Sequence, residues 1–82
     1  MLYSMVMLTR RSQGEELRSS WPTIRFALLY CERDAGAFLT FKAVSIGVWE
    51  ARTMDSEYRI TMLEPIQERD LVTATALFQG RS

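Results

Sequence analysis

The sequence predicts a mainly β domain: a five-stranded, mostly antiparallel small barrel or curled sheet with short helical turns. Three observations predict it. Apolar and polar residues alternate with period two between Leu39 and Val48, and again from Glu57 to Leu63. That spacing gives a strand one buried face. β-Branched and aromatic residues are frequent in those stretches, as pleated surfaces prefer. Clusters of Gly, Asp, Ser and Thr separate the apolar runs and supply turn chemistry. The 82 residues have room for one small domain, 1–82, with a modest core. The competing reading is α+β, with helices at about 21–33 and 66–78 packed on an antiparallel sheet.

Leu2 to Thr9 is apolar on both faces, and Tyr3 and Val6 favour extended backbone. It reads as the first strand, either central or paired across a dimer. Arg10 to Ser20 is the most polar stretch and reads as a loop. Within it, Ser12-Gln13-Gly14-Glu15 has capping-box spacing, which allows a helical turn or two from Gln13 to Arg18. Trp21 precedes Pro22 and is pushed towards extended geometry. The Gln13 to Pro22 loop is the candidate functional loop by position.

Thr23 to Glu32 reads as the second strand. Ile24, Phe26, Leu28 and Tyr30 take one face; Arg25, Ala27, Leu29 and Cys31 take the other. Phe26 to Cys31 has no polar position, so a helix there would be apolar all round. The rival helix has Pro22 in its first turn and stops before Gly36. Arg33-Asp34-Ala35-Gly36 reads as a hairpin turn.

Ala37 to Arg52 reads as one long strand whose buried parity changes near Ala43-Val44. A bulge there, or a bend at Gly47, accounts for the change. Thr53-Met54-Asp55-Ser56 is a turn. Glu57 to Leu63 is a strand with Tyr58, Ile60 and Met62 on one face. Glu64-Pro65 ends it, Ile66 to Asp70 suits a helical turn, and Leu71 to Phe78 reads as the fifth strand, with a short helix as its rival.

Formal charge is zero. That argues against a general nucleic-acid or membrane-surface binder, while leaving room for a local basic patch. No apolar run reaches the length of a membrane span. The chain has no histidine. This removes the commonest general base, the Ser-His and Cys-His nucleophile pairs and the commonest nitrogen ligand for metals. Cys31 is the single cysteine, so it makes no intrachain disulfide and no zinc cage; it fits a reducing cytoplasm and reads as a packed thiol. The glycines match no phosphate-binding spacing. The reading therefore leans away from an enzyme, with no catalytic residue, metal ligand or cofactor assigned.

On the three-strand reading, Arg25, Lys42 and Arg59 share a mixed basic and apolar face opposite Phe26, Phe41 and Ile60. Trp21 and Trp49 are candidate binding anchors, since Trp is enriched at interface hot spots. Apolar residues on both faces of several segments favour a homo-oligomer. The expected function is a non-enzymatic binding module that self-associates and contacts an acidic partner or anionic ligand through that face. One alternative is a nucleic-acid-binding small barrel with Trp49 or Tyr58 as a stacking platform. Another is a small-molecule site or enzyme formed at a subunit junction.

Overall fold

The computed structural model describes residues 5–36, 39–63, 72 and 74–76. The fold is mainly β, as the alternation predicts. Five antiparallel strands form one open sheet: β1 (Val6–Ser12), β2 (Glu15–Trp21), β3 (Lys42–Ser45), β4 (Val48–Arg52) and β5 (Ser56–Met62). The helix α1 (Ile24–Ala35) links β2 to β3. The strand order is β2-β1-β5-β4-β3. The β1–β2 hairpin thus lies against the last strand of a three-strand meander. Strand number and pairing sense agree with the sequence reading, but three of its segments change identity.

The first is residues 10–21, read as a loop. They form most of a hairpin, with Ser12 opposite Glu15. Gln13 and Gly14 have φ of 52° and 81°, the two positive angles of a type I′ turn. The Ser12-to-Glu15 spacing closes a hairpin here and caps no helix. β2 was illegible because it is an edge strand with neither face covered: every residue but Trp21 is exposed. With nothing to bury, selection for alternation is absent.

The second is residues 23–32, read as a strand. They are helical. Thr23 Oγ1 accepts the Phe26 N–H at 3.2 Å and caps the helix start. Gly36, at φ 66°, ends the helix in the left-handed region, and its N–H donates to the Glu32 carbonyl at 3.1 Å. Ile24, Ala27, Leu28 and Cys31 are buried, the spacing of one helical stripe. Phe26 and Leu29 stay exposed. Its middle, Phe26 to Cys31, is apolar on every side, yet the sheet covers only one side of it. The rival reading has the helix and its stop before Gly36, but it puts Pro22 in the first turn, whereas the helix begins at Ile24 after the Thr23 cap.

The third is residues 71–78, read as a strand; 72 and 74–76 are helical. The expected break at Glu64-Pro65, the turn at Ile66 to Asp70, and residues 2–4 of the first segment lie outside the described residues.

Ala37 to Arg52 was read as one bent strand. The bulge falls where the parity change placed it, between Ala43 and Ser45. The chain then reverses at Ile46-Gly47, with Gly47 at φ 73°, so β3 and β4 are a hairpin. Gly47 supplies a turn angle that L side chains adopt at a cost. The Thr53 to Ser56 turn forms as expected. Thr53 Oγ1 accepts the N–H groups of Asp55 and Ser56 at 3.3 and 3.0 Å.

The core lies between α1 and one sheet face. Cross-strand register puts Leu8, Ile60, Trp49 and Ala43 in one row, and Arg10, Tyr58 and Ala51 in the next. Val6, Leu8, Trp49, Ala51, Tyr58 and Ile60 are buried with the helix stripe. At the rim, the Tyr58 hydroxyl donates to Asp34 Oδ2 at 2.7 Å, and Arg10 Nε lies 2.6 Å from the same oxygen. Asp34 sits in the last turn of α1, where the helix dipole disfavours a carboxylate. The Arg10 charge and the Tyr58 hydroxyl offset that and tie the helix end to the sheet. Tyr58→Phe removes a hydrogen bond to a charged acceptor in a partly buried setting. We expect a loss of about 1.5–3 kcal/mol, read as a lower urea midpoint at unchanged slope. A midpoint matching the parent would show that the contact contributes nothing.

Candidate functional site: the open sheet face

The sheet face opposite α1 carries no helix among the described residues, and none of its described residues is buried. Strand alternation decides what it displays. Three rows of side chains cross it.

The first row is Glu16, Arg11, Glu57, Arg52, from β2 through β1 and β5 to β4. The signs alternate along it, which is the favourable cross-strand arrangement. Arg11 Nη2 donates to Glu16 Oε1 at 2.7 Å. Its other nitrogen lies 3.9 Å from Glu57, and Arg52 reaches Glu57 at 3.2 Å. The Arg11 fork holds the Glu16 carboxyl below its usual range, and the carboxylate holds the Arg11 guanidinium above its own.

The second row is Arg18, Thr9, Arg59, Glu50, Lys42, and it spans all five strands. Arg59 grips one oxygen of Glu50 through Nε, at 2.6 Å, and Nη2. Arg18 leans back to Glu16 Oε2 at 3.2 Å. The third row is Ser20, Met7, Thr61, Val48, Ser45. It is uncharged and partly apolar.

Five cations and three carboxylates therefore share this face, although the chain as a whole is neutral. Each guanidinium that is ion-paired here remains more than half exposed as a side chain. Between the first two rows lies a shallow groove of about 270 Å³ walled by Arg11, Arg18, Arg52, Arg59 and the three glutamates. It is polar and open. Enclosed small-molecule pockets are larger and mostly apolar, so the shape suits a docked chain better than an engulfed ligand.

The structure brings together two of the five residues singled out from sequence. Lys42 and Arg59 lie in the second row, on either side of Glu50. Arg25 does not join them; it is exposed on α1, which packs on the other face of the sheet. Trp21 ends β2 on the helix side, half-buried, with its ring 5.4 Å from that of Tyr30 and its Nε1 donating to Ser19 Oγ. Trp49 is core, 1 % exposed. Arg11, Arg18 and Arg52 were missed. Arg11 and Arg18 stood in the supposed loop, and Arg52 lay at the end of a strand whose face was ambiguous. Cys31 is buried, as read, and burial pushes its thiol up to about 12.

Among the described residues, no cluster of side chains has the makings of a metal site, and no helix is long and apolar enough to cross a membrane. No protein-family model matches the chain, and searches of curated proteins and of solved structures found no match. The fold and face define the class at the level of an open-faced antiparallel sheet with a basic surface.

Proposed function

We propose that the chain is a non-enzymatic binding module that self-associates and docks an acidic protein segment on its open sheet face. One observation carries the docking: five cations and three carboxylates converge on the uncovered face of a neutral chain. An extended acidic segment laid across the groove would exchange carboxylates with Glu16, Glu50 and Glu57 as partners for the arginine forks. Arg is suited to this, since its planar fork binds carboxylates bidentately and is weakly hydrated. The lattice already in place holds the forks in position before the partner arrives, which lowers the ordering cost of binding.

The nucleic-acid alternative loses support from the geometry. Its stacking platforms, Trp49 and Tyr58, are buried, and the three rows contain no aromatic residue.

The test is a titration of the chain with a glutamate-rich peptide and, separately, with single-stranded DNA, each at low and moderate salt. We expect saturable peptide binding that weakens with salt, since screening acts on exposed charges. Arg52→Glu should weaken it about tenfold, mainly through the association rate. Tighter retention of DNA than of peptide, or no binding of either at low salt, would overturn the proposal.

A further inference from the structure

Among the described residues, the two outer strands of the sheet are not alike. β3 has four residues and carries the bulge between Ala43 and Ser45. Shortness and bulging are devices that stop an edge from pairing. β2 has seven residues, no proline and no bulge, and it pairs in unbroken register with β1. No described strand pairs with its outer edge, which is the one left open to a further strand.

Which peptide groups point outward is fixed by the ladder. The Leu63 N–H donates to the Met5 carbonyl, so Met5, Met7, Thr9 and Arg11 turn their peptide groups towards β5, and Val6, Leu8, Arg10 and Ser12 turn theirs towards β2. Through the β1–β2 register, Glu15, Leu17, Ser19 and Trp21 bond inward. Glu16, Arg18 and Ser20 present their N–H and C=O groups to the outside.

We infer that β2 pairs antiparallel with β2 of a second copy about a twofold axis at Leu17, joining two sheets into one. This rests on the self-association half of the proposed function and fixes its edge and register. About that axis Leu17 meets Leu17, Glu16 meets Arg18 of the second copy, and Arg18 meets its Glu16. The outward-bonding residues then face each other as hydrogen-bonded pairs, with Leu17 at the non-bonded site between them, where side chains approach closest. Leu17 is 53 % exposed in the single chain and lies on the helix side. Glu16 and Arg18 lie on the open side, so their cross-copy pairs extend the lattice already there. Glu16 accepts from Arg11 and from Arg18 of its own chain, so in the dimer each Arg18 exchanges that carboxylate for Glu16 of the second copy, and Glu16 keeps two donors. Axes at Glu16, Arg18 or Ser19 also match peptide groups; the first two set like charges against each other, which is unfavourable, and the third leaves Arg18 opposite Ser20 with no ion pair. Charge therefore selects the Leu17 axis.

The experiment is sedimentation velocity of the whole chain across a micromolar concentration range, with circular dichroism confirming each variant's fold. The parent should show a reversible dimer. Arg18→Glu and Glu16→Arg should each weaken it at least about tenfold, because by symmetry each variant sets like charges together at two contacts. Mixing the two variants should restore a heterodimer, since glutamates of one copy then face arginines of the other. Independently of charge, Leu17→Cys should give a disulfide-linked dimer on mild oxidation, whereas Ser19→Cys, which faces Glu15 of the second copy, should not. A parent that stays monomeric overturns both this pairing and self-association, and leaves the peptide titration to judge docking. A dimer that persists in both charge variants, or one weakened by Arg18→Glu alone, overturns this register and spares self-association.

Discussion

Trp49→Ala should remove a large fraction of the fold's stability. A domain of this size has a margin of roughly 4–12 kcal/mol. Truncating a buried Trp to Ala costs about 3–5 kcal/mol through lost burial and the cavity left behind. Trp49 is 1 % exposed and the largest of the fully buried side chains. It sits between Ile60 of β5 and Ala43 of β3 in cross-strand register. A small residue on one side leaves little to collapse into the gap. Urea unfolding followed by circular dichroism measures the loss. Arg52→Ala is the control, since the Arg52 side chain is 76 % exposed and such substitutions usually stay within about 0.5 kcal/mol. A loss below about 1 kcal/mol for Trp49→Ala would mean that the helix does not seal this face of the sheet.

Cys31 should react with thiol reagents about a thousandfold more slowly in the native chain than in the unfolded one at pH 8. Only the thiolate reacts. Burial moves its pKa from 9.0 to about 12, with Asp34 and Glu32 adding to the rise, and three pH units correspond to about a thousandfold less thiolate. Steric cover by the sheet acts in the same direction. Labelling with an aromatic disulfide, with and without urea, gives the ratio. A native rate within about tenfold of the unfolded rate would place the thiol at the surface.

The same burial makes the fold sensitive to alkali. Tyr58 is also raised above its usual 10, by burial first and then by Asp34. Both groups hold a proton in the folded chain that the unfolded chain releases earlier. Their contribution is full below about pH 9 and is lost as pH rises through the folded values. Stability measured between pH 8 and 12 should therefore fall, and Cys31→Ala should make that fall shallower.

Where one face is buried, period-two alternation was legible. The Glu57 to Leu63 strand, the Thr53 to Ser56 turn and the Ala43 to Ser45 irregularity were all visible because the core imposes a parity there. Lys42 and Arg59 were placed on a common face for the same reason. β2 left no such trace, since neither of its sides is covered, and with it went Arg11 and Arg18. Residues 23–32 failed differently. Their apolar residues satisfy both a strand and a helix over so short a run. The deciding signals were at the ends, in the Thr23 cap and in Gly36, and the reading gave more weight to the apolar middle.

The sequence by itself determined a mainly β, antiparallel fold and a chain without histidine, because composition and alternation are local properties. Only the tertiary structure decided which five segments are the strands and that the cations gather on one face. The physical reason is that a side chain's face depends on which neighbour covers its strand. The helix covers one side of the sheet, and the charged rows are what remains on the other.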